Sequence, residues 1–177
     1  MEKPLHALGE GVPKHSTQII SLFVGGILFL IGLSGLMLPE FAGLHLSFFY
    51  SLIVIFSGLS LLYSGYLNNS RAAFLSCIAF SIFFGLHAIV GWVFGGPGIP
   101  TVGHEMPDSK WIRIIPNFYE LGRNDHILNT ILSLVLSFGA IDWWIQHMGQ
   151  VKRIDFLRKI KNDNFRQIRF YKKKITP

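Results

Sequence analysis

IISLFVGGILFLIGLSGLML, residues 19–38, runs for twenty residues without a charge. A helix of that length is about 30 Å long, the thickness of a bilayer's hydrocarbon core. Three more apolar runs follow at 46–62, 72–94 and 127–145. Together they predict an all-α fold: a four-helix transmembrane bundle with spans over about 19–38, 46–66, 72–94 and 127–146. A cytoplasmic segment, 1–18, precedes the bundle at 19–149. A long outer loop, 95–125, joins spans three and four, and 150–177 reads as a basic amphipathic tail.

Composition agrees. Half of the 177 residues are hydrophobic and 15% are charged, against about a quarter charged in soluble domains. The net charge of +6 is unevenly spread. Residues 150–177 hold Lys152, Arg153, Arg158, Lys159, Lys161, Arg166, Arg169, Lys172, Lys173 and Lys174 against Asp155 and Asp163, a net of +8. One cysteine, Cys77, gives no disulfide pair and no zinc spacing, which argues against thiol oxidases that need cysteine pairs in their outer loops. The first run is longer than a signal-peptide core, and Pro39-Glu40-Phe41 after it is not a small-x-small cleavage site.

Charge also predicts orientation. Lys3, Lys14, Arg71 and the tail cations share one side, against Lys110, Arg113 and Arg123 on the other. The positive-inside bias then places both termini in the cytoplasm. Phe48, Phe49, Tyr50 and Trp92 fall at the outer boundary, and Tyr63, Tyr66, Trp143 and Trp144 at the inner one. Pro39 is expected to stop the first helix, Asn68-Asn69-Ser70 to cap the third, and Asn124 or Asp125 to cap the fourth. Ser21/Gly25, Ser60/Ser64, Ser81/Gly85 and Ser133/Ser137 are small residues four apart, the spacing that lets helices approach closely in lipid.

Loop 95–125 contains four prolines (Pro97, Pro100, Pro107, Pro116), which preclude a long helix. It reads as an ordered cap or contact surface, with Trp111, Ile112, Ile114 and Ile115 dipping into the membrane interface. It holds no nucleophile–base constellation.

Two ionisable residues lie within the spans. His87 stands about 10 Å below the outer surface, with His45, His104, Glu105, Asp108, Asp125 and His126 near the same end. With His45 or His126 it is the candidate contact for a cofactor such as a haem or pigment, or for a proton relay. The structural alternative is a hydrogen bond from His87 to Asn129 or Thr130, and it is preferred because interhelical polar bonds are the commoner use. No metal-ligand spacing is present. Asp142, near the inner end of the fourth span, reads as an ion pair with Arg71, Lys152 or Arg153. The functional alternative is half of an ion path.

In the tail, Ile154, Leu157, Ile160, Phe165, Ile168, Tyr171 and Ile175 recur at steps near three and four, with most cations between them. That pattern suits an anionic leaflet better than nucleic acid, for which stacking aromatics would be expected.

Two stretches carry a family resemblance. Gly58-Leu59-Ser60-Leu61-Leu62, then Ser70-Arg71-Ala72-Ala73 and a helix with His87, resembles the second-to-third span passage of DoxX-like membrane proteins. Glu120-Leu121-Gly122-Arg123-Asn124-Asp125-His126 is similar to the start of the last helix in another small four-span family of unknown function. In that family a histidine follows the aspartate by four residues, where this chain has Asn129. The resemblance covers residues 19–146 and implies a four-helix bundle, a bacterial inner membrane and, for some DoxX-like proteins, membrane redox roles.

Three functions are thus expected, in this order. The first is a non-catalytic accessory subunit of a larger membrane complex, respiratory or photosynthetic, whose partners are other membrane subunits and an anionic lipid leaflet. The second is a cofactor-binding redox protein using His87 with His45 or His126. The third is a proton-linked transporter using Asp142 and His87.

Overall fold

The computed structural model describes residues 15–38, 40–67, 69–99, 108–116 and 118–175, with side chains as far as residue 149. Lys3, Lys14, Pro39, His104, Glu105 and the tail side chains therefore lie outside the described residues. Four helices dominate: α1 (Ser16–Met37), α2 (Phe48–Tyr66), α3 (Ser70–Phe94) and α4 (Arg123–Ile175). The first three, and α4 over Arg123–Gly149, are long and apolar enough to cross a bilayer. Their outward faces agree, since Phe23 and Phe56 are each 69% exposed and Phe138 67%. A soluble protein does not expose a continuous belt of this kind, whereas lipid covers it without cost.

The helices form two antiparallel hairpins, α1 with α2 and α3 with α4, and α1 also packs on α3 and α4. The hairpins are held differently. Between α1 and α2 the backbones touch through glycine: a Cβ on Gly58 would stand 2.6 Å from the Phe29 nitrogen, and one on Gly25 2.8 Å from the Gly58 carbonyl. Between α3 and α4 serines exchange bonds, Ser81 Oγ donating to the Ser133 carbonyl at 3.0 Å and Ser133 Oγ to the Ser81 carbonyl at 2.9 Å. Ser137 Oγ meets Ser81 Oγ at 2.6 Å, and Gly85 faces Ser133. Ser64 instead bonds within its own helix, to the Leu61 carbonyl, and Ser60 is half-buried.

The expected all-α bundle is present in outline, with strands added at one end. There the chain forms a two-stranded hairpin, β1 (Glu40–Phe41) and β2 (Leu44–His45), and a three-stranded antiparallel sheet. The sheet comprises β3 (Gly96–Gly98), β4 (Asp108–Ile115) and β5 (Tyr119–Leu121). Branched and aromatic residues in Trp111-Ile112-Arg113-Ile114-Ile115 favour a strand, and Pro107 and Pro116 bound it. The β1–β2 turn is tight, with Ala42 at φ 53° and Gly43 at φ 76°, the left-handed pair that a two-residue hairpin requires.

A second difference concerns the tail. α4 continues through Gly149 to Ile175 as one helix of 53 residues rather than breaking into a separate element. No proline interrupts it, and a single glycine costs a helix only about 1 kcal/mol. Asn69 caps α3 as expected, its side chain accepting from the Arg71 and Ala72 amides.

Candidate functional site

The sheet rests on one end of the bundle, here the cap end, and nearly every polar side chain beneath it joins two elements. β4 supplies the first link. Asp108 and Lys110, two apart, share one face of the strand. The Asp108 carboxylate accepts from the Arg123 amide at 2.8 Å, at the N-terminus of α4. The Lys110 ammonium donates to the carbonyls of Trp92 (3.1 Å) and Gly95 (3.3 Å), at the C-terminus of α3. An anion at one helix start and a cation at the neighbouring helix end each complement a helix dipole.

Asp125 supplies the second link. It is fully buried, and its two oxygens accept from the Gly122 amide at 2.7 Å and the His45 amide at 3.2 Å. It thus closes the first turn of α4 and holds β2 against it. The expected cap at Asn124 or Asp125 therefore takes another form: the helix begins at Arg123, Asp125 reaches back, and Asn124 donates to the Gly43 carbonyl at 2.8 Å.

Glu120 on β5 is buried and pairs across the sheet with Arg113, Nε to Oε1 3.0 Å, and His45 Nε2 lies 4.0 Å from its other oxygen. The Ser47 hydroxyl, at the start of α2, donates to the Glu120 carbonyl at 3.1 Å. Trp111, expected at the membrane interface, is instead buried, because its ring is edge-on to His45 at 4.6 Å and packs over Gly98 and Gly122. Ile114 and Ile115 remain about half exposed.

Each of His45, His87 and His126 is bonded to a different part of the cap. Phe83's carbonyl can only accept, so its 2.9 Å contact places the His87 proton on Nδ1. Nε2 is then an acceptor, and the Tyr119 hydroxyl donates to it at 2.6 Å. Burial pushes the Tyr119 hydroxyl up to about 12, which keeps it a donor at any physiological pH. His87 therefore bonds to β5, not to Asn129 or Thr130 as expected. Asn129 accepts instead from the Tyr50 hydroxyl at 2.8 Å. Thr130 donates to the His126 carbonyl at 2.7 Å and accepts from the Trp92 indole at 3.2 Å.

His126 is fully buried, its Nε2 donating to the Lys110 carbonyl at 3.0 Å. Its ring lies flat against Gly91 of α3, where a methyl group would overlap it. Nδ1 has no hydrogen-bond partner among the described residues, nor have Trp111 Nε1 and Asn129 Nδ2. Among the described residues, no three His, Cys, Asp or Glu side chains gather as a metal site would need.

At the opposite end, the tail end, the polar contacts among the described residues join helix termini. Asp142 accepts from Ser16 of α1 and from Gln146, at 2.9 Å for the latter, rather than pairing with Arg71. Its Ser16 partner comes from the start of α1, which the apolar run at 19–38 had left outside the helix. The Thr17 hydroxyl donates to the Gly139 carbonyl at 3.0 Å, Gln18 to the Leu67 carbonyl at 2.6 Å, and the Trp143 indole to Ser70 at 3.1 Å.

The residues that sequence reasoning passed over are Tyr119, Asp108 and Lys110 as fasteners, and Gly91. An Asp-x-Lys on a strand between the end of one helix and the start of the next is the readable signal for two of them. The chain matches no protein family, no curated protein and no solved structure.

Proposed function

We propose that this protein is a non-catalytic integral-membrane subunit that presents its β-cap as a rigid docking platform within a larger assembly. The assembly belongs to a bacterial inner membrane, of respiratory or photosynthetic type. Both termini face the cytoplasm, and the basic continuation of α4 lies near the anionic leaflet.

The observation that carries this reading is how the polar groups of the cap end are used. Asp108, Asp125, Lys110 and His87 each fasten a strand or turn to a helix, His87 through Nε2 to Tyr119 while its Nδ1 bonds within α3 to the Phe83 carbonyl. Groups committed in this way stabilise a surface and are not free for chemistry. The cofactor reading needs an open nitrogen on His87, and the transport reading needs Asp142 on a polar path. Asp142 instead bonds Ser16 and Gln146 at the tail end.

The test is extraction from native membranes in mild detergent, followed by sizing and identification of co-purifying chains. Recovery in an assembly well above 20 kDa, held by other membrane proteins, supports the reading. Recovery only as a free monomer or homodimer contradicts it. A visible absorption band that disappears in His87→Ala would replace it with the cofactor reading.

A further inference from the structure

On the lipid-facing side of the α3–α4 hairpin lies a groove of about 310 Å³. Phe74, Ile78 and Ile82 form its α3 wall, and Ala140, Ile141 and Trp144 its α4 wall. Ser81 and Ser137 lie at its floor, but their hydroxyls are bonded to each other, so the groove is apolar throughout. It runs from Phe74, one turn inside the tail end of α3, to Ile82, eight residues on. That is about 12 Å, most of one leaflet's share of the hydrocarbon core.

Among the described residues, Arg71 is the cation in line with its mouth. At 100° per residue, Arg71, Ile78 and Ile82 fall within an arc of about 40° on α3, so Arg71 lies in line with the groove wall. Arg71 is exposed, in the first turn of the helix. Asp142, the acidic residue in this part of α4, is drawn towards α1 by its bond to Ser16, on the other side of the helix.

We propose that this groove is a binding site for one anionic phospholipid, its acyl chain along the α3–α4 groove and its phosphate on the Arg71 guanidinium. A slot reaching through most of one leaflet, with a positive charge at its interfacial end, matches that molecule in length, polarity and charge. The proposal rests on the chain spanning a bilayer and is independent of whether it belongs to a larger assembly.

Native mass spectrometry of the purified chain tests it, with phosphatidylglycerol and phosphatidylcholine of equal chain length. The expected result is about fivefold preference for phosphatidylglycerol, the factor one cation near an anionic headgroup supplies. Arg71→Gln should remove the preference and keep residual binding of both lipids. Ile141→Trp, at an exposed position where folding tolerates bulk, should lose both. Equal retention of the two lipids by the unaltered chain would overturn the proposal. So would an unchanged preference in Arg71→Gln, or a dimer across this face that excludes lipid.

Discussion

The two ends of the bundle are built on different terms. At the cap end Glu120, Asp125, His126 and Asn129 are each at most 1% exposed, and the bonds there mostly join a strand to a helix. At the tail end, Asp142 and Gln146 face solvent or headgroups, and the bonds are scattered among helix termini. Burial makes the difference energetic. A polar group taken out of water costs about 1–3 kcal/mol if its partner is removed, whereas an exposed one recovers a water. Polar substitutions should therefore be expensive at the cap end and cheap at Asp142 and Gln146. Thr17, buried and bonded to the Gly139 carbonyl, is the tail-end position that should cost as much as the cap residues.

Glycines give the largest contrast. Gly91→Ala pushes a methyl into the His126 ring, which is wedged between α3 and the Lys110 carbonyl. Overpacking of this kind costs about 1–3 kcal/mol or more. A clear drop in the thermal midpoint in detergent, followed by circular dichroism, is expected. Gly139→Ala at the tail end meets side-chain atoms alone, Ile20 Cδ1 at 3.2 Å and Cγ2 at 3.3 Å and Cys77 Sγ at 3.6 Å, and should lose much less. Equal losses would break the comparison.

Asp125→Ala comes next. It strands two buried backbone donors, those of His45 and Gly122, at about 1–3 kcal/mol each. Faster hydrogen exchange at those two amides, with the serine contacts between α3 and α4 still protected, is the expected signature.

Tyr119 sharpens the comparison through pH. Its hydroxyl titrates near 12 in the folded protein, against about 10 in an unfolded chain. Its contribution is whole below pH 10 and fades as pH rises from about 10 to 12, because the unfolded state gives up the proton first. Trp fluorescence should show alkaline weakening over that window, and Tyr119→Phe should make the profile flatter. The smallest effect belongs to Asp142→Asn. The amide can still accept from Ser16, and the melting midpoint should stay where it is.

Much of the frame was legible in the chain because lipid imposes a simple rule. Runs such as 19–38 and 72–94 must be helical, since no water is present to satisfy their backbones. Asn69 was readable for a local reason, as its side chain serves amides two and three residues on. The cap was not, because its order depends on contacts between distant positions. Nothing near Trp111 announces that it packs edge-on against His45, sixty-six residues away, rather than entering the membrane. His87 shows the same limit. Its helical depth could be counted, but its partner, Tyr119, belongs to a strand that forms only once β4 and β5 pair. The serine and glycine pairs signalled that helices would approach, yet only the fold distinguishes Ser81, which bonds across to α4, from Ser64, which bonds at home.

A docking platform requires a rigid cap, held to the helices by its buried polar bonds. Hydrogen exchange over residues 108–121 in nanodiscs tests this directly. The amides of Trp111, Ile112 and Leu121 should exchange about as slowly as those of α3 beneath them, and Asp125→Ala should accelerate them selectively. Full exchange of this segment within seconds in the unaltered protein would contradict the account.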